Sequence, residues 1–147
     1  MKLCSACLVG IKCAYDGKDR FDGKAKDLFD KGQVIPVCPE QLGGLPTPRE
    51  KREVRGGDGR RVLEGKAGVI DIKGRDMTKE AIRGAEETLR IARQLGVKGF
   101  IGKARSPSCG CGKIYDGTFS GRLVKGDGVT VAMLKKNGMK AITEEDL

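Results

Sequence analysis

Lys79-Glu80-Ala81-Ile82-Arg83-Gly84-Ala85-Glu86-Glu87-Thr88-Leu89-Arg90-Ile91-Ala92-Arg93-Gln94-Leu95-Gly96-Val97-Lys98-Gly99-Phe100-Ile101 joins a helical pattern to a strand-like one across a glycine. Ala81, Ile82, Ala85, Leu89, Ile91, Ala92 and Leu95 fall mostly on one helical face. That spacing predicts a helix over about Lys79 to Gln94, with Asp76 or Thr78 as its cap. Gly96 ends it, and Val97 to Ile101 reads as the strand that follows. Helix, glycine and apolar strand make half of a βαβ unit, so a parallel sheet is the economical expectation.

On the N-terminal side, Lys2 to Ala6 reads as a first strand. A short helix over Lys24 to Lys31 carries Ala25, Leu28 and Phe29 and stops at Gly32. Val34-Ile35-Pro36-Val37 is a further strand, and its proline argues for an edge position or a strand start. Glu53-Val54-Arg55 and Arg60-Arg61-Val62-Leu63 flank Gly56-Gly57-Asp58-Gly59, which predicts an exposed basic hairpin with a glycine tip. Such a hairpin is either a flap over a site or merely solvated. Val69-Ile70-Asp71-Ile72 follows as a strand.

Beyond Ile101, Ile114 to Phe119 holds a turn with aromatics placed to pack behind a loop. A last helix over about Val129 to Asn137 precedes a short strand, Met139 to Ile142, and an acidic tail, Thr143-Glu144-Glu145-Asp146. The expected class is α/β: a three-layer domain with a mostly parallel sheet and an inserted hairpin, one domain over residues 1–147.

Composition narrows the chemistry. No apolar run is long enough to span a membrane, and Met1-Lys2-Leu3-Cys4 lacks the apolar core of a signal peptide, so a soluble cytoplasmic protein is expected. The six cysteines then read as thiols, metal ligands or catalysts rather than a disulfide framework. The chain has no histidine. This removes the commonest general base and every Cys/His zinc pattern. Any metal must be held by sulfur or oxygen, and proton transfer falls to Glu, Asp, Lys, Tyr or water. A formal charge of +9 attracts anions and keeps RNA open as a partner, although charge alone does not name one.

The reactive side chains gather in loops after apolar strands. Ser106-Pro107-Ser108-Cys109-Gly110-Cys111-Gly112 follows the Val97–Ile101 strand across a basic step, Gly102-Lys103-Ala104-Arg105. Cys7 and Cys13 lie beyond the first strand, and Cys38-Pro39-Glu40 directly beyond the second. Taken singly, Cys38 reads as a buried thiol and Glu40 as a solvated carboxylate. Cys4 reads as a small buried apolar residue in the first strand. In open α/β sheets such loops converge on one site. Thiols meeting there point to a thiolate-bound metal. Zinc held by four cysteines is one possibility, but the usual paired knuckles are missing. An iron–sulfur cluster tolerates irregular spacing, and with only three protein ligands one iron stays open as a Lewis acid. No G-x-x-x-x-G-K loop is present, which argues against an NTPase.

Cys7-Leu8-Val9-Gly10 with Cys13-Ala14-Tyr15-Asp16-Gly17, then Val37-Cys38-Pro39-Glu40 with Gly43-Gly44-Leu45-Pro46-Thr47-Pro48-Arg49, then Ser106-Pro107-Ser108-Cys109-Gly110 resemble the motifs of the thiouracil desulfurases, in order and over nearly the whole chain. The resemblance implies a 4Fe–4S cluster held by Cys7, Cys13 and Cys109, with Glu40 as the acid–base carboxylate and Ser106 as an active-site serine. It implies a non-redox reaction, in which a thiolated nucleobase or nucleoside binds through sulfur to the open iron and water attacks its carbon. Soft iron suits soft sulfur. One departure is Ala14, where the family has arginine, so no charge from that position is expected at the substrate. Relatives carrying a further domain act on thiolated tRNA, so RNA stays open here. The competing classes are a structural iron–sulfur or zinc protein and an RNA-binding module.

Overall fold

Alternation along a few very short strands divides the molecule into layers. The computed structural model describes residues 1–147. In order they form β1 (Lys2–Ser5), α1 (Gly23–Asp30), β2 (Val34–Val37), α2 (Pro39–Leu42), β3 (Arg52–Arg55), α3 (Gly59–Leu63) and β4 (Gly68–Asp71). Then come α4 (Thr78–Leu95), β5 (Gly99–Gly102), β6 (Lys113–Tyr115), β7 (Leu123–Lys125), α5 (Val129–Lys136) and β8 (Lys140–Thr143). The central sheet has the order β2-β1-β5-β8, and every pair in it is parallel. Pro36 sits on its edge strand β2, where a missing amide donor costs least.

Across the β1–β5 pair, Leu3 faces Phe100 and Cys4 faces Ile101. Successive residues of a strand point to opposite faces. Leu3 and Phe100 therefore join Leu89, Ala92, Val131 and Leu134 of α4 and α5 in one core. Cys4 and Ile101 join Leu8, Val9 and Ala25 in the other, under α1. Helices on both faces of a parallel sheet give the expected three layers. Fully burying a side chain such as Phe100 or Leu3 contributes about 1.5–3 kcal/mol each.

The strand order fixes where the site lies. From β1 the chain moves outward to β2, then crosses back over β1 to reach β5. The loops after β1 and β5 thus part in opposite directions at neighbouring strand ends, which opens a crevice. The turn Ala6–Val9 follows β1, α2 follows β2, and the Lys103–Cys109 loop follows β5.

The inserted hairpin is present, but its second strand is not Arg60–Leu63. β3 pairs antiparallel with β4, with Val54 opposite Val69, and residues 59–63 form the helix α3 between them. Asp58 sets this: its carboxylate accepts from Arg61 N at 3.2 Å and so caps a helix where the glycines suggested a tight turn. The hairpin is no exposed flap either. Arg52, Glu53 and Val54 are buried, and Val54, Val62 and Val69 pack with Ala85 and Val129. Thr78 begins α4 but bonds elsewhere, its hydroxyl accepting from Val69 N at 3.0 Å while Asp76 accepts from Thr78 N at 2.9 Å. The acidic tail is a capped 3₁₀ turn, Glu144–Asp146.

Helix α2, which follows Cys38, lies directly on α4 because glycines occupy the crossing. A Cβ at Gly84 would collide with the carbonyl oxygen of Pro39, and one at Gly43 with that of Glu80. Alanine would favour the isolated helix by up to about 1 kcal/mol. Here Gly84→Ala is expected to destabilise the protein by about 1–3 kcal/mol, the cost of overpacking, in urea unfolding. A stabilised Gly84→Ala would contradict this close crossing.

Candidate active site

The crevice is a cavity of about 340 Å³ walled by the ends of β1, β2 and β5. All five residues singled out from the sequence line it: Cys7, Cys13, Glu40, Ser106 and Cys109. Cys38 lines it as well, whereas Cys4 and Cys111 do not. Cys4 is locked in the core under α1, and the Cys111 thiol turns to the carbonyl of Ala141 at 3.4 Å.

Each thiol is held by its own local structure. Cys7 sits in the buried turn Ala6–Val9, which ends at Gly10 with φ 97, a left-handed conformation that glycine adopts without strain. The following segment folds back, Arg20 N donating to Cys7 O at 2.8 Å and Asp22 N to Leu8 O at 2.9 Å, and this returns Cys13 to the cavity. The Cys109 loop is braced from both sides. Ser106 Oγ accepts from Ser108 N at 3.1 Å and from Cys109 N at 3.0 Å. Beyond it, the first amides of α5 donate to this loop, Val129 N to Pro107 O at 2.8 Å and Thr130 N to Ser108 O at 3.0 Å. The otherwise unpaired amides of a helix start are thus satisfied by the loop that carries Cys109.

The thiols sit where a bare thiolate is disfavoured. Burial pushes Cys109 up to about 12. The Cys38 thiol favours a Cys13 thiolate, but the Cys7 thiol and burial outweigh it, and Cys13 is pushed up to about 11. Contact with Cys13, and then burial, raises Cys38. A positively charged metal centre among them would reverse this balance and hold them as thiolates. No group of three Cys, Asp or Glu side chains is gathered tightly enough for a single ion. Sulfur donors brought from separate strand ends to one cavity, with no histidine in the chain, fit a thiolate-held iron–sulfur cluster.

Glu40 faces this thiol set from α2. Its carboxylate pairs with Arg49, whose Nε lies 3.3 Å away, and with Arg52. Both guanidiniums are almost fully buried, 4% and 5% exposed, so these ion pairs are shielded from water. Burial lowers Arg52 to about 10, against the pull of Cys38 and Cys109. Arg49 also donates to Cys13 O at 2.8 Å, so one side chain fixes both the carboxylate and the Cys13 loop. Ser106 spends its oxygen on two amides and can offer the cavity only its hydroxyl hydrogen. Ala14 lines the wall without a charge, and the nearby cation is Arg20, over the Tyr15 ring at 5.5 Å and paired with Asp16 at 3.0 Å.

Arg49, Arg52, Lys103 and Ser5 were not marked as site residues by their sequence context, yet all line the cavity. Arg49 and Arg52 lie just ahead of the stretch expected as an exposed basic hairpin. The signal available was Glu40 itself, since a carboxylate buried beside thiols needs a cationic partner.

A family model described as 2-thiouracil desulfurase matches residues 3–146. An uncharacterised protein of Bacillus subtilis (strain 168), YbbK, is 44% identical over 147 residues, covering 100% of this chain and 97% of its own. A solved structure described as a [4Fe-4S]-dependent thiouracil desulfidase, TudS, superposes with a TM-score of 0.87 at 36% identity, over 99% of this chain and 91% of that one. With its strand ends, thiols and Glu40 arranged as described and the match running nearly end to end, this chain belongs to the 2-thiouracil desulfurase family.

Proposed function

We propose that this chain is an iron–sulfur-dependent desulfurase that converts a thiolated pyrimidine, thiouracil or its nucleoside, to the oxo form and sulfide. Residues 1–147 act in this reading as one unit. The observation that carries it is a single cavity walled by four cysteines and a carboxylate from separate strand ends, in a chain without histidine. The family match and the likeness to the solved desulfidase support the activity and the 4Fe–4S cofactor. No helix is long and apolar enough to cross a membrane. Six unpaired cysteines support a reducing, cytoplasmic setting.

Cys7, Cys13 and Cys109 would hold the cluster. When bound, it supplies an iron without a protein ligand, a soft Lewis acid for the thiocarbonyl sulfur. The reaction consumes water: its oxygen bonds to carbon, the carbon–sulfur bond breaks, and the bonding pair leaves on sulfur. Nothing is oxidised or reduced. Glu40 takes a proton from the attacking water and returns it to the ring or the departing sulfur. Arg49 and Arg52 aim its carboxylate, and Arg49 ties that aim to the Cys13 loop. Ser106 orients water or ring through its hydroxyl hydrogen while its oxygen keeps the Cys109 loop in shape.

Anaerobically reconstituted protein is expected to be brown, with about four irons and four labile sulfides per chain. Cys7→Ser, Cys13→Ser and Cys109→Ser should each lose the iron, and Cys4→Ser and Cys111→Ser should keep it. Zinc without labile sulfide would sink the cluster assignment, and loss of iron in Cys38→Ser as complete as in Cys109→Ser would sink the open iron.

Glu40→Gln preserves size and hydrogen bonding and removes the proton carrier. It should keep the visible absorption of the loaded protein while sulfide release from thiouracil falls about 10²–10⁴-fold. Full activity in loaded Glu40→Gln would place the proton transfer elsewhere.

A further inference from the structure

The basic step Lys103–Arg105 and the acidic turn Glu144–Asp146 take no part in the chemistry assigned above. The sheet register brings them together. β5 and β8 run parallel with Gly102 opposite Thr143, so Lys103 and Glu144 emerge side by side at the end of the sheet that forms the cavity. Glu144 then binds the loop with both oxygens, Oε1 accepting from Lys103 Nζ at 2.8 Å and Oε2 from Ala104 N at 2.8 Å. Thr143 and Asp146 close a reciprocal cap that fixes the turn carrying Glu144. At the other end, Ser5 Oγ accepts from Lys103 N at 3.0 Å.

A lysine side chain is ordinarily a mobile charge, and this one is fixed at backbone and tip. Its ammonium gives one hydrogen to Glu144 and one to Ala104 O at 3.3 Å, which leaves one of three donors without a partner in the protein. Lys103 lines the cavity that holds Cys109 and Glu40, while Glu144 is not part of the lining. Of the two, it is the cationic residue that borders the reacting space. The side chains are 26% and 12% exposed, so the charge acts through less water than a surface lysine would.

Resting on the desulfuration reading, we propose that Lys103 is a further substrate-contacting residue whose free N–H meets the negative charge that collects on sulfur as the carbon–sulfur bond breaks, and that Glu144 is the positioning residue that holds it there. The lysine keeps its proton throughout. The electron pair of the broken bond stays on sulfur, the water oxygen stays on carbon, and no electrons are exchanged with the lysine. A neutral thiocarbonyl gains little from this donor, whereas the departing sulfur gains much. The interaction therefore raises kcat more than it tightens substrate binding.

The test uses cluster-loaded protein, with iron and labile sulfide measured for every variant. Lys103→Met keeps the length of the side chain without its charge. It should lower kcat on thiouracil about 10²-fold, the scale for removing one such donor, with KM changed by less than about threefold. Lys103→Arg should recover part of the loss. Glu144→Gln should lower kcat about tenfold, and Lys103→Met combined with Glu144→Gln should be no worse than Lys103→Met alone, since Glu144 acts through the lysine. Hydrosulfide titrated into loaded protein gives a readout independent of turnover. Its binding, followed by the visible spectrum, should weaken about tenfold or more in Lys103→Met.

Wild-type kcat in loaded Lys103→Met overturns the proposal, as do losses in the double variant that multiply. Should Lys103→Met not load iron, wild-type kcat and hydrosulfide affinity in loaded Glu144→Gln overturn it equally. A wild-type protein that releases no sulfide from thiouracil ends the desulfuration reading instead, and Lys103 is then judged on hydrosulfide affinity alone.

Discussion

The parallel pairing of β1 with β5 is the constraint on which the rest of this molecule depends. It sets Leu3 against Phe100 and Cys4 against Ile101, and so assigns the two cores. It also places the Cys7 turn and the Cys109 loop at neighbouring strand ends whose connections diverge. A slip of one residue in that register would exchange the two faces of the sheet and point the loops elsewhere. The approach is close: a Cβ on Gly102, the last residue of β5, would collide with the carbonyl of Cys109. Glycine at that strand end lets the Cys109 loop fold back over its own strand.

Around this frame the site is assembled mostly from backbone-anchored side chains. Ser106 caps the Cys109 loop, Ser5 takes the amide of Lys103, and Glu144 takes the amide of Ala104. Arg49 binds both the Cys13 carbonyl and Glu40. Side chains fixed in this way lose little freedom when substrate arrives, which is the condition under which positioned groups accelerate a reaction. The elevated thiols are consistent with this design, since buried neutral cysteines are ready to become thiolates only when a cation enters among them.

Much was legible from the chain alone. The apolar face of α4, the glycine after it and the strand beyond gave the parallel α/β architecture, because helical and strand periodicities are local properties. Proline in β2 correctly marked an edge. The absence of histidine leaves metal binding and proton transfer to cysteine and glutamate, and the three motifs carry the family to which the chain belongs. The hairpin was misjudged for a physical reason. Gly56-Gly57-Asp58-Gly59 contains both a turn signal and a helix cap, and only packing of Val62 against Val54, Val69 and Val129 selects the cap. Glu53, which opens the stretch expected as an exposed hairpin, is buried, as is Arg52 before it.

The sequence by itself determined which chemistry was open to this protein: six thiols, no imidazole, and carboxylates to move protons. It also determined β1, α1, β2, β4, α4, β5, α5 and β8 in their order, since those follow from spacing along the chain, but not α2, α3 or β7. Only the tertiary structure decided which of the thiols share a cavity, that Arg49 and Arg52 accompany Glu40, and that Lys103 and Glu144, distant in sequence, stand side by side. Such pairings are set by strand order and register. Those depend on how side chains far apart in the chain bury one another, and no local pattern encodes them.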